Sequence, residues 1–145
     1  MKEVISLPAS GTQGIINKYL VHAHPHPRPY KAFQYMTLRK EGGLMERIYS
    51  VKNEFVLDPS AENIKEQVEF LSESAKEKIL SYIEERRINF GFEKQGKYKF
   101  YLLKVEQELT HAPRTREVLP SYTYFTYGEL TSGRQIVEIE SALNH

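Results

Sequence analysis

Three histidines near the start of the chain are the residues whose type and spacing point most directly to chemistry. His22, His24 and His26 alternate with other residues in the segment VHAHPHPRPY. In an extended segment such residues point to one side, where three imidazoles could bind a metal. The prolines of the segment argue against a regular central strand, however, and catalytic zinc sites usually combine ligands from distant parts of the chain. We therefore predict no metal and no cofactor, and interpret the segment as a proline-stiffened loop at the rim of a ligand pocket, with His26 and Arg28 facing the ligand.

Other signatures of catalysis are missing from the sequence. There is no cysteine, which excludes thiolate zinc sites, thiol nucleophiles and disulfides. There is also no GxSxG, HExxH or GxxxxGK[ST] motif. The sequence favours binding over catalysis, with an enzyme as the open alternative.

Composition limits the class of protein. The chain has 145 residues, which suit a single domain spanning 1–145 with a core of its own. Its formal net charge is +1, too small for the overall field of a DNA-sliding protein, so any nucleic-acid site must be local. The N-terminal MKEVISLPASG lacks the apolar stretch of a signal peptide, and no apolar run reaches membrane-spanning length. We expect a cytoplasmic protein without a membrane partner.

The period of the apolar residues changes along the chain and defines the elements that must position these side chains. Segment 30–57 alternates with period two around the turn KEGG, which predicts a β-hairpin. Segment 59–88 changes to the helical period, and Asp58 followed by Pro59 predicts its start. A capping box of Ser74 and Glu77 predicts a break near Ser72, and therefore two helices, centred on 64–71 and 76–83.

Strand periodicity returns after the helices. Segment 98–105 is a further strand candidate, preceded by a turn at Gln95 and Gly96. A second capping box, Thr126 with Glu129, predicts a strand that ends near Phe125 and continues into a short helix. The fold class is therefore α+β, with one mixed, mostly antiparallel sheet curled into a partial (pseudo) β-barrel and a two-helix insertion at about 59–88.

The order of these segments resembles that of the PUA-like superfamily, which includes the PUA, ASCH, EVE and YTH domains. The resemblance rests on the strand VISLPASG, the segment RPYKAFQY, the hairpin return MERIYSVKNEFVL, the strand YKFYLLKVEQEL and the aromatic stretch YTYFTYGEL. It covers most of the chain. It implies a module that binds RNA, DNA or a nucleotide and holds a base, possibly modified, between aromatic side chains in a cleft. Because catalytic signatures are missing, we expect this module to be non-catalytic.

The ten tyrosines and seven phenylalanines of the chain suit such a cleft, although aromatic residues this dense also suit a core. The candidates for contact with the base are Tyr30, Phe33, Tyr35, Tyr122, Tyr124, Tyr127 and His26, and those for phosphate are Arg28, Lys31, Arg114 and Arg116. Because strand side chains alternate, only about half of the aromatic candidates can face one side.

Two other functions remain open. The same resemblance implies that a Lys, Thr and Glu set can serve a small amidohydrolase acting on modified nucleosides, and Lys31, Thr37 and Glu46 near the hairpin provide these residue types. The apolar stripe of the helical insertion could instead bind a protein partner or a second copy of the chain.

Overall fold

A computed structural model describes residues 3–9, 11–89, 91–92, 96–119 and 121–139 of the chain. The strands are β1 (Glu3–Pro8), β2 (Val21–Pro25), β3 (Tyr35–Arg39), β4 (Met45–Leu57), β5 (Tyr98–Glu108) and β6 (Thr123–Thr126). The helices are α1 (Gln13–Tyr19), α2 (Ile64–Gln67), α3 (Glu73–Asn89) and α4 (Tyr127–Leu130), with a 3-10 turn at Glu41–Gly43.

The strands form one mixed sheet in the order β2-β5-β4-β3-β1-β6. β1 runs parallel to β3 and antiparallel to β6, whereas the β3–β4 and β2–β5 pairs are antiparallel. The predicted α+β class and mostly antiparallel sheet are confirmed. Within the described residues the sheet is open, with β2 and β6 as its edge strands.

The chain divides into two compact units. Unit 1 comprises Met1–Gln13, Lys31–Val51 and Lys104–His145, and unit 2 comprises Gly14–Tyr30 and Lys52–Leu103. A core of seven residues, Val4, Met45, Ile48, Leu109, Phe125, Leu130 and Val137, lies in unit 1. In unit 2, α3 buries Ile79, Tyr82 and Ile83. In the described part of the chain no helix has the length and apolar character that crossing a membrane requires.

The predicted hairpin is confirmed from Tyr35 onward, whereas residues 30–34 are not in a strand. Its turn depends on Gly42 and Gly43, both at a φ of 80°, a left-handed conformation that costs glycine little. Thr37 pairs with Ile48 and the next paired residue, Arg39, pairs with Met45, so β4 carries an extra residue at this point. This bulge places Met45 and Ile48 in the same core and interrupts the period of two.

The predicted break between the two helices is confirmed, but the capping residue was predicted wrongly. α2 ends at Gln67 and α3 begins at Glu73. The Ala75 N–H donates to Ser72 Oγ at 3.2 Å, so Ser72 caps α3, and Ser74 lies inside the helix. An N-cap hydroxyl must reach an amide three residues ahead, and Ser72 is the serine placed to do so. The predicted start at Pro59 is also wrong, because turns occupy the chain until Ile64.

The interpretation of the histidine segment as a loop is wrong for its first half. Segment 21–25 forms β2, with Ala23 opposite Phe100 on β5. Its proline is tolerated because β2 is an edge strand and Pro25 is its last residue, where a missing N–H disrupts little pairing. Helix α1 was not predicted at all.

Replacing Ser72 with alanine should lower the free energy of unfolding by about 1 kcal/mol, because the Ala75 N–H loses its capping acceptor. Urea unfolding measures this difference. Ser74→Ala is the matched control and should change stability by less than about 0.5 kcal/mol, since alanine suits a helix interior. Equal losses in the two variants would contradict the assignment of Ser72 as the cap.

Candidate ligand-binding site

Strand β1 is the element that brings the candidate residues of unit 1 together. Ile5 lies opposite Met36 on β3 and Tyr124 on β6, and the next residue, Ser6, lies opposite Thr37 and Thr123. Because consecutive side chains point to opposite faces, the Ile5 row and the Ser6 row form two different surfaces. The sequences of three separate segments thus meet on β1.

On the face of Ile5 and Tyr124, a lysine lies close to an acid and two aromatic rings. We call this group the Lys31 cluster, and its members are Glu3, Lys31, Tyr122 and Tyr124. The Lys31 backbone N–H donates to the Tyr124 hydroxyl at 2.9 Å, and Lys31 Nζ lies 4.7 Å from the centre of the Tyr124 ring. The Tyr122 ring meets the Tyr124 ring edge to face, with centres 6.0 Å apart. Both tyrosines are half-buried, so aromatic surface and positive charge are accessible at one place.

The ion pair in this cluster is a loose one. Lys31 Nζ lies 3.6 Å from Glu3 Oε1, with the Lys31 side chain 36% exposed. A charge-assisted hydrogen bond would bring these atoms to about 2.7–2.9 Å. Pairs this exposed contribute roughly 0–1 kcal/mol, so an anionic ligand can compete with Glu3 for Lys31.

The opposite face carries a buried cation, Arg39, which is 4% exposed. Its Nη1 donates to Ser6 Oγ at 2.9 Å and to the Ser6 carbonyl at 3.0 Å. Its Nη2 donates to the carbonyls of Leu119, at 3.4 Å, and of Ser121. Burial lowers the pKa of Arg39 from its usual value, but an arginine stays charged in proteins. The guanidinium therefore ties β1 and β3 to the segment that leads into Tyr122.

Thr37 lies on the same face of β3 as Arg39 and is fully buried. Its Oγ1 makes no hydrogen bond within the described residues. A nucleophilic hydroxyl needs a base within hydrogen-bond reach. The Thr37 hydroxyl is thus a buried polar group without an activating base in the part of the chain described.

The other predicted aromatic residues of unit 1 serve the core. The Tyr35 and Tyr127 rings lie 5.0 Å apart and pack against the unit 1 core. Phe33 is half-buried just before β3. The register places Tyr35 and Tyr124 on opposite faces, which confirms that alternation divides the predicted set.

The predicted phosphate residues are spread over both units. Arg114 and Arg116 are exposed in unit 1, on the segment between β5 and β6, and the Arg114 N–H donates to the Gln135 carbonyl. Arg28 and His26 are exposed in unit 2. Of the four basic candidates, Lys31 is the one with a described contact to a predicted aromatic ring.

In unit 2, His22 and His24 lie in a group of aromatic rings in which His24 is hydrogen-bonded. His24 Nδ1 lies 2.8 Å from the Pro25 carbonyl, which can only accept, so Nδ1 carries the proton. In the neutral ring, Nε2 then accepts from the Tyr101 hydroxyl at 2.9 Å. The His22 ring stacks on Tyr101 at 6.2 Å and Tyr30 meets His24 edge to face at 5.0 Å. Tyr30 therefore packs on a histidine.

Both histidines are neutral near pH 7. Burial, with smaller effects of His24, Arg86 and Arg28, lowers the pKa of His22 to about 3. Burial also lowers the pKa of His24, against a small opposing effect of its hydrogen bond to the Pro25 carbonyl. Among the described residues, no group of three or more histidine, aspartate or glutamate side chains is arranged to hold a metal.

Two of the residues predicted for the amidohydrolase alternative, Lys31 and Glu46, have other partners. Lys31 pairs with Glu3, and Glu46 pairs with Lys40 at 2.9 Å. Neither ion pair joins Lys31 to Glu46. The geometry therefore gives this set no common contact in the described residues.

Comparison with known proteins identifies the fold. The chain resembles the crystal structure of an ASCH protein from Zymomonas mobilis, with a TM-score of 0.50 and 15% identity over 90% of this chain and 92% of that chain. A mutant of the same protein aligns over 87% of this chain and 89% of that chain, with a TM-score of 0.49 and 15% identity. No family profile and no curated protein sequence matches the chain. The predicted resemblance is thus confirmed at the level of the fold, which is of the ASCH type.

Acid should destabilise this protein partly through His22. Its pKa in the folded state is about 3, against about 6.5 in an unfolded chain. Between these values only the unfolded chain takes up the proton, so the free energy of unfolding should fall as the pH drops from about 6.5 towards 3.

Urea unfolding of the His22→Gln variant at pH values between about 7 and 4 tests this dependence. The variant should show a flatter fall in stability than the parent chain, with the remainder coming partly from His24. His26→Gln, which removes an exposed histidine, is the control, and His22→Gln should flatten the slope more than this variant does. An unchanged slope in His22→Gln would contradict the burial of a neutral His22.

Proposed function

We propose that this protein is a non-catalytic module that binds RNA, DNA or a nucleotide through the Lys31 cluster. The observation that carries the proposal is the Lys31 ammonium at 4.7 Å from the half-buried Tyr124 ring. An aromatic ring can stack on any base, which is worth about 1–3 kcal/mol per base, and an adjacent cation can hold the phosphate that flanks it. The resemblance to the PUA-like superfamily implies that domains of this kind bind a base. The ASCH-type fold of this chain therefore supports the proposal.

The loose contact between Lys31 and Glu3 fits a ligand site. In the free protein Glu3 neutralises Lys31 at 3.6 Å. A phosphate that replaces Glu3 gains a shorter charge-assisted contact and gives up a pair of little net strength.

The surroundings of Lys31, Thr37 and Glu46 favour binding over catalysis. Thr37 is the buried hydroxyl of unit 1 without a described partner, yet it has no base in hydrogen-bond contact within the described residues. Lys31 and Glu46, the other members of the amidohydrolase set, are held in separate ion pairs. Catalysis by this set would need all three side chains to be rearranged.

A protein-interaction role for the helical insertion is the remaining alternative. α3 buries Ile79, Tyr82 and Ile83 within the chain, so most of its apolar stripe is already covered. Phe70, after α2, is 63% exposed. Co-purification of a partner, or a dimer by light scattering that Phe70→Ser disrupts, would favour this alternative.

Removing the Tyr124 ring should weaken binding in a base-dependent way. We expect Tyr124→Ala to cost roughly 1–3 kcal/mol of binding free energy, with the larger losses for the bases that stack best. Tyr124→Phe is the matched control: it keeps the ring and loses only the acceptor for the Lys31 N–H, so it should retain most of the affinity. Fluorescence anisotropy with labelled oligonucleotides of different base composition measures both. Equal losses in the two variants would contradict stacking on Tyr124.

Removing an exposed arginine should weaken all sequences alike. Arg116→Gln deletes one positive charge, and if that charge contacts phosphate, the salt dependence of single-strand binding should become shallower by about 0.7 in log K against log salt. Titrations at several salt concentrations give this slope. Salt-independent binding would contradict phosphate contacts, and turnover of a small modified nucleoside without oligonucleotide binding would favour the amidohydrolase alternative.

A further inference from the structure

We propose that a cavity in unit 2, bordered by Lys52 of β4 and Lys78 of α3, binds a phosphate group. The cavity is about 80 Å³ and is also lined by Ser74, Leu102 and Leu103. All of these residues belong to unit 2, so the site is separate from the Lys31 cluster of unit 1. The inference goes beyond the proposed function and does not rest on it.

The size of the cavity selects a small polar group. One water molecule needs roughly 10–15 Å³ of such space, so the cavity can hold a group of several heavy atoms. Sites for a whole nucleoside or a drug-sized ligand run to about 300–1,000 Å³. A single tetrahedral anion therefore fits this space better than a base does.

The charge at the strand side of the cavity is uncompensated in the described structure. Lys52 is exposed and no carboxylate of a described residue pairs with it. The nearby acid on the same strand, Glu54, is already paired with Lys99 at 2.8 Å. The ammonium of Lys52 is thus available to an anion from outside the chain.

On the α3 side of the cavity, the nearby acids are likewise paired with a lysine that does not line the cavity. Glu69 and Glu73, the acids around the start of α3, both pair with Lys76, at 3.3 and 3.2 Å. Their hydrogen bonds raise the pKa of Lys76. Lys78, which lines the cavity, has no carboxylate partner among the described residues. Two cations from different elements therefore border one cavity, while Glu54, Glu69 and Glu73 are paired with other lysines.

The ammonium groups, and not the end of the helix, supply the positive charge of this site. The Ala75 N–H is already capped by Ser72. The Ser74 hydroxyl adds a donor that suits a phosphate oxygen, and lysine binds phosphate as a compact point charge. The ligand chemistry is therefore a phosphate group, carried either by a small molecule or by a nucleic-acid backbone.

Nuclear magnetic resonance titration of the full chain with inorganic phosphate, at constant ionic strength held with sodium chloride, tests the site. We expect saturable shifts of the Ser74, Ala75 and Lys78 amides. Lys52→Gln and Lys78→Gln should each weaken phosphate binding roughly tenfold, the effect of losing one hydrogen bond to a charged group. Lys65→Gln, at an exposed position of α2 outside the cavity, is the control with the same charge change and should bind as the parent chain does. Shifts that do not saturate, or an equal loss in Lys65→Gln, would overturn the site.

A second titration with a short oligonucleotide distinguishes the two sources of phosphate. Shifts of the same amides that depend on Lys52 and persist in Tyr124→Ala would identify the nucleic-acid backbone as the source. Saturation by inorganic phosphate with no response to the oligonucleotide would identify a small phosphorylated molecule. The proposed function fails separately, if Tyr124→Ala leaves oligonucleotide affinity unchanged. No saturable shift with either probe would overturn the phosphate site alone.

Discussion

The pairing of β1 with two strands is the interaction on which the candidate site of unit 1 depends. β1 lies parallel to β3 on one side and antiparallel to β6 on the other, so residues 3–8, 35–39 and 123–126 meet in one register. Both neighbours are distant in sequence, and closing such long loops is costly unless the closed strand is well buried. Val4 and Ile5 are fully buried, which provides that burial on both faces. The register of β1 decides which side chains share a surface with Tyr124.

Each unit also contains a buried arginine whose described hydrogen bonds go to neutral oxygens and not to a carboxylate. In unit 2, Arg86 donates to the Ala23 carbonyl at 2.9 Å and to the Tyr82 hydroxyl at 3.0 Å, and its guanidinium lies 4.5 Å from the centre of the Phe92 ring. In unit 1, Arg39 donates to carbonyls of β1 and of the segment before β6. A guanidinium has five donors in a rigid fork and can therefore join several backbone segments at once. Arg39 uses this capacity to fix the start of the segment that carries Tyr122, so its contribution to a ligand site is one of positioning.

Local signals in the sequence predicted the elements that depend on local contacts. The predicted N-cap at Thr126 is confirmed, because the Glu129 N–H donates to Thr126 Oγ1 at 3.2 Å and α4 follows. The Glu129 side chain does not complete the capping box, since its described hydrogen bonds are to Arg134 and to the Glu138 N–H. The KEGG turn is confirmed by the left-handed Gly42 and Gly43. Features that depend on distant contacts were missed. β2 is a strand because β5 lies beside it, whereas Pro25 at its end and Pro27 just after it gave the opposite local signal.

Prediction of the candidate site was limited in the same way, because local sequence signals do not give contacts between distant residues. The sequence predicted Lys31 and Tyr124 as ligand residues, and the structure brings them into contact. Tyr35 was predicted with them and packs on the core, because period two alone does not say which face of a strand is buried. Arg39 was missed because a charged residue at the end of a strand usually faces solvent. In the structure the segment after β5 covers it, and Arg39 Nη2 donates to the Leu119 carbonyl of that segment. Its signal was faint but present: Tyr35, Thr37 and Arg39 form the more polar row of an otherwise apolar strand.

The proposed recognition of an anion by unit 1 depends on how its two cations, Arg39 and Lys31, are surrounded. The buried cation, Arg39, donates to the Ser6 hydroxyl and to backbone carbonyls, so it holds the structure in place. The half-exposed cation, Lys31, is loosely paired with Glu3 and lies close to the Tyr124 ring. In the function proposed above, Lys31 exchanges Glu3 for a phosphate while the Tyr124 ring stacks on the adjacent base.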